Sequence, residues 1–125
     1  MKEEEVNPNE LYTEKVKHIV WRKAKSIAGI ASSERRQDQC GAWIDWDQYG
    51  ETYSGGSGWV IDHIVPIEYG GTRTTSNLQP LQWENALRKA NQYPDPDFCI
   101  VSGSKISKKE YLEEKQGRRK ITRIN

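Results

Sequence analysis

The sequence predicts a small α+β domain. Apolar residues recur at helical spacing between Val16 and Ile27, ahead of any strand-like run. A strand–loop–strand–helix order follows between Trp59 and Asn91. A length of 125 residues, 34% hydrophobic residues and a mean hydropathy of −0.92 leave room for one modest core. Five Trp and six Tyr must then supply much of the apolar burial.

The elements can be taken in order. Residues 1–8 are acidic, end in Asn7-Pro8, and read as a frayed lead-in. A helix is predicted from Asn9 to about Ile27. Asn9 would cap it, Glu10 would sit in its first turn, and Gly29 would end it. Leu11 or Tyr12, Val16, Ile19 or Val20, Ala24 and Ile27 form its inner face. Lys15, Lys17, Arg22, Lys23 and Lys25 form the other, read as solvated, and His18 is read as a surface residue. Ala31 to Gln39 is a polar loop whose Arg35 and Arg36 either reach a phosphate or form loop salt bridges. Cys40 to Ile44 is a turn leading into a short strand. The Trp43 and Trp59 segments are expected to pair or pack, their aromatics covering one side of the core. Ser54 to Gly58 is a turn feeding Trp59.

Trp59-Val60-Ile61 is an apolar strand ending in Asp62-His63, and Pro66 stops regular pairing beyond it. Gly70-Gly71 marks a polar loop. Asn77 to Leu81 is a second extended segment, and Gln82 to Ala90 is built of good helix formers. Arg88 and Lys89 follow Asn85 by three and four residues and share its helix face.

This stretch resembles the HNH endonucleases, the ββα-metal or His-Me finger nucleases. The matching residues are Asp62-His63, Asn77 and Asn85, with the flanking text DHIVP, GG, NLQPL and NALRK. Arg36 to Ala42 and Tyr49-Gly50 resemble a bacterial and phage subset of small HNH proteins. The resemblance implies a ββα-metal core at 59–91 within a single nuclease domain, residues 9–103, preceded by a helix. It implies hydrolysis of DNA phosphodiester bonds, nicking one strand and leaving 5′-phosphate and 3′-hydroxyl ends. By the same resemblance, Asn77 holds the loop and the histidine in place. The zinc knuckle of many such proteins is missing, because no Cys-x-x-Cys pair exists. The unit is therefore expected to hold by packing alone.

The chemistry can be argued from the side chains. Phosphodiester cleavage needs an activated water, relief of charge on the phosphorane, and help for the leaving oxygen. His63 is the natural base near neutral pH. Asp62 and Asn85 offer hard oxygens that suit one divalent cation, Mg²⁺ or Mn²⁺, with Zn²⁺ or Ni²⁺ as alternatives. Neighbours on a flat strand point to opposite faces. Either the strand bends at Asp62-His63, or the cation and the water approach the phosphate from different sides. Arg88 and Lys89 are placed to meet phosphate. Taken singly, each of these residues has an ordinary structural role; their order and spacing carry the argument.

Beyond Asn91 the chain changes. Tyr93 to Asp97 is a stiff connector, and Phe98 to Val101 is a short strand candidate. Residues 104–125 carry eight basic residues against three glutamates. There Lys108 to Gln116 is a helix candidate ended by Gly117. Arg118, Arg119 and Lys120 belong to a basic tail, read equally as an arm on nucleic-acid backbone or as a solvated terminus. Cys40 and Cys99 read as reduced structural thiols, although two cysteines also permit one bridge.

Net charge is +1, so any nucleic-acid contact must come from local patches. No apolar run spans a membrane, and the N-terminus lacks a signal-peptide core, so cytoplasmic residence is the expectation. The expected partner is double-stranded DNA, and the expected state a monomer or weak dimer. The rival readings are an RNA-directed nuclease or toxin, a catalytically inactive nucleic-acid-binding module, and a structural accessory protein of a phage.

Overall fold

A computed structural model describes residues 12–103. The lead-in, Asn9, Glu10, Leu11 and the whole basic extension, including Arg118, Arg119 and Lys120, lie outside the described residues. Within them the fold is α+β, with two helices and two small antiparallel sheets.

The first helix, α1 (Glu14–Trp21), is shorter than its apolar periodicity suggests. Thr13 is its cap: the hydroxyl accepts from Val16 N at 3.2 Å, satisfying one orphan donor of the first turn. Single turns close at Lys23 N→Val20 O and Ala24 N→Trp21 O, and the helix stops. It does not reach Ile27, because Lys25 and Ser26 are taken into a strand. That strand, β1 (Lys25–Ser26), pairs with β2 (Arg35–Gln37), which pairs in turn with β3 (Trp43–Asp45). The segment expected as a polar loop thus supplies the central strand. Tertiary pairing outweighs local polarity there.

The second sheet is the hairpin of β4 (Trp59–His63) and β5 (Leu78–Gln82). The helix α2 (Trp83–Gln92) follows β5 without a loop. Gln82 makes that joint. Its Oε1 accepts from Glu84 N at 2.8 Å and from Asn85 N at 3.1 Å, so a glutamine takes the capping role that shorter side chains usually fill. Phe98 to Val101 forms no strand.

Val16, Val20, Trp21, Ala24, Ile44, Trp59 and Leu78 form the core between α1 and the strands. Tyr12, Trp46, Tyr49 and Ile61 pack against it. Trp46, rather than Trp43, joins Trp59, with ring centroids 5.9 Å apart. The Trp43 ring instead lies against the Arg35 guanidinium, 4.4 Å from its centre.

The β4–β5–α2 unit is not held by packing alone. Cys40 and Cys99 form a disulfide across 59 residues, which corrects the expectation of reduced thiols. Beneath it lies a polar knot around Asp38, 4% exposed. Asp38 Oδ1 accepts from Cys40 N and Ala42 N, and Oδ2 accepts from Gln82 N and Asn85 Nδ2, all at 2.8–3.1 Å. Four donors satisfy a carboxylate that would otherwise be costly to bury. No helix among the described residues is long and apolar enough to cross a membrane.

Candidate functional site

The hairpin ladder runs regularly through Asp62 and His63, opposite Gln79 and Leu78 respectively. The strand does not bend at the pair, so the two side chains leave on opposite faces. The bend that the sequence leaves open as one alternative is therefore not made.

The loop after β4 is fastened by Asn77, which is 8% exposed. Its Oδ1 accepts from Val65 N, and its Nδ2 donates to Val65 O and Thr72 O, each at 2.9 Å. Ile64 N donates to the Asn77 carbonyl at 2.7 Å, directly after His63. Gly71 lets the loop close this tightly, because a Cβ there would stand 1.7 Å from Val65 O. The His63 ring is partly exposed and makes no hydrogen bond to another described residue.

Asp62 is held by two donors on one oxygen. Gln79 Nε2 donates to Oδ2 at 2.9 Å, and Lys89 Nζ lies 3.1 Å from the same atom. Oδ1 accepts from no described residue. The carboxylate also acts at a distance: burial first, then the charge of Asp62, raises the Tyr12 phenol above its ordinary range. Tyr49 is raised in the same way, by burial and then by Tyr12.

Asn85 is not part of this arrangement. It is fully buried, and its amide is saturated. Nδ2 donates to Asp38 Oδ2 at 3.1 Å and to Val101 O at 2.9 Å, while Oδ1 accepts from Ile100 N and Val101 N, both at 2.9 Å. The side chain serves the 98–101 segment as a neighbouring strand would, which is why that segment needs no ladder. An oxygen already accepting two hydrogen bonds has no lone pair for a cation. Asp62 and Asn85 therefore do not form a shared cation site. Among the described residues there is no group of three or more His, Cys, Asp or Glu placed to hold a metal.

The expected phosphate contacts divide as well. Lys89 is 5% exposed and donates to His63 O at 2.7 Å, so its ammonium faces inward and not toward solvent. Arg35 is 2% exposed and grips Asp45 through Nε and Nη2, at 2.7 and 2.9 Å. Arg36 donates to Ser32 O and Ala24 O at 2.9 Å. These three are scaffold. Arg88 is half-buried, and its enclosed Nε has no hydrogen-bond partner. Of the described candidates, Arg88 alone makes no side-chain hydrogen bond or ion pair to another described residue.

Sequence reasoning missed Gln79 and Asp38. Gln79 was legible only as a residue directly opposite Asp62, once the register is known. Asp38 carries a local signal, an Asp three residues before a glycine in a turn-forming stretch. Comparison with family models, with curated proteins and with solved structures finds no match.

Proposed function

We propose that the β4–β5–α2 unit hydrolyses phosphodiester bonds of DNA, as a nuclease of the HNH kind that nicks one strand. The observation that carries this reading is the pairing of an unengaged, partly exposed His63 with a neighbouring carboxylate that keeps Oδ1 open. His63 would take the proton of the attacking water. The Asn77 clamp would hold that ring's strand end still, and Arg88 would meet phosphate. A divalent cation would take Asp62 Oδ1 as a hard anionic ligand and would find no free oxygen on Asn85.

A second reading has its own observation. Lys89 neutralises Asp62, and Asn85 is committed to Asp38 and the 100–101 backbone. Both facts favour a nucleic-acid-binding module that does not cut. Cytoplasmic residence is expected from the N-terminal sequence, whereas the Cys40–Cys99 bridge is of a kind found more often in oxidising compartments.

Supercoiled plasmid incubated with Mg²⁺ or Mn²⁺ decides between them. The nuclease reading expects open circles with wild type, none with EDTA, and none with His63→Ala. Retarded migration of intact plasmid by both proteins would establish the binding module instead.

A further inference from the structure

Beside the candidate site lies an open groove of about 540 Å³ between the β1–β2 edge and β5. Ile64, the residue after His63, lines it, as do Gln79, which holds Asp62, and Pro80. Lys25, Gln37 and Gln39 line it too. The volume is in the range that takes a nucleotide-sized group.

Three carboxamides and two lysines in one groove are a chemically specific lining. Lys25 is exposed, and its ammonium has no hydrogen-bond or ion-pair partner among the described residues. Lys23, at the same edge, is committed to the Leu78 and Thr75 carbonyls. Asp38 also borders the groove, but its four hydrogen bonds leave it no acceptor capacity. Gln37 Nε2 donates to Gly41 O, and the other two amides are linked in series. Gln39 Nε2 donates to Gln79 Oε1 at 2.7 Å, and Gln79 Nε2 donates to Asp62 Oδ2 at 2.9 Å. Gln39 is therefore two hydrogen bonds from the Asp62 carboxylate.

We infer that this groove is the seat of the nucleotide next to the bond to be cut, with Lys25 on its phosphate and Gln39 on a base or sugar edge. Carboxamides pair donor and acceptor with base edges, and a lysine supplies the sequence-independent charge. The inference rests on the nuclease reading for its substrate, DNA, but it is tested by binding rather than by cutting.

The experiment is fluorescence anisotropy of a labelled DNA duplex in EDTA, where no cleavage intervenes. Wild type, Lys25→Ala and Gln39→Ala are titrated across a salt series. Both side chains are exposed, so neither change threatens the fold. Lys25→Ala should weaken binding severalfold and lower the slope of log affinity against log salt by about 0.9. Gln39→Ala should weaken binding roughly fivefold and leave that slope unchanged. Wild-type affinity and slope in both variants, or no binding by wild type itself, would overturn the groove. Groove-dependent binding without plasmid nicking would keep the groove and sink the hydrolytic reading. Nicking by wild type with unchanged binding in both variants would do the reverse.

Discussion

Lys89 Nζ sits 3.1 Å from Asp62 Oδ2, with the two side chains 6% and 15% exposed. A lysine that the sequence places on a phosphate-facing surface is instead the internal counter-charge of the candidate site. Its other contact, with the His63 carbonyl, ties α2 to the end of β4.

Removing one partner of an enclosed pair strands the other charge. Lys89→Met should lower unfolding free energy by about 3 kcal/mol in urea titration. Asp62→Asn combined with Lys89→Met should restore much of that loss, because no unpaired charge remains. An additive double variant would mean the two residues are not coupled.

Asn85 gives a sharper contrast between scaffold and ligand. Asn85→Ala leaves the Ile100 and Val101 amides and one lone pair of Asp38 without their partner. The expected cost is about 3 kcal/mol of stability. A cation ligand would behave differently: Mn²⁺ affinity would fall while the denaturation midpoint hardly moved.

The staple is covalent and metal-independent. Reduction of Cys40–Cys99, or Cys99→Ser, should cost about 4 kcal/mol for a loop of this separation. EDTA should leave the thermal midpoint where it is. A fold that melts on chelation would contradict this account of what holds it.

Alkaline pH should loosen the core through Tyr12 and Tyr49. Both phenols are raised from the ordinary value of 10.0 in the folded chain. Their contribution is therefore fully present below pH 10.0 and is lost as pH rises through the higher folded values. Phenolate absorbance followed with unfolding should show two late-titrating tyrosines and falling stability above that pH. Tyr12 should titrate earlier in Asp62→Asn, where the repelling charge is gone.

Much of the hairpin and helix was legible because local signals agreed there. Trp59 to Ile61 is an apolar run closed by Asp62-His63, Pro66 and Gly70-Gly71 punctuate, and Trp83 onward is good helix text. The early helix was over-extended because apolar spacing continues to Ile27 while strand pairing claims Lys25 and Ser26. The roles within the site were less legible still. On α2 the buried residues are Asn85 and Lys89, while Leu87 is 57% exposed. Polarity on that helix therefore marks the inside, the reverse of the usual reading. The Cys40–Cys99 bridge and the Asp38 knot join residues tens of positions apart, and no spacing rule reaches that far.

Chemical rescue of His63→Ala is the most direct test of the proposed base. Nicking of supercoiled plasmid by this variant should fall by roughly a hundredfold or more. Added imidazole should restore part of the rate, with a pH dependence that follows the added base. A variant that cuts as fast as wild type, with or without imidazole, would remove His63 from the chemistry and the hydrolytic proposal with it.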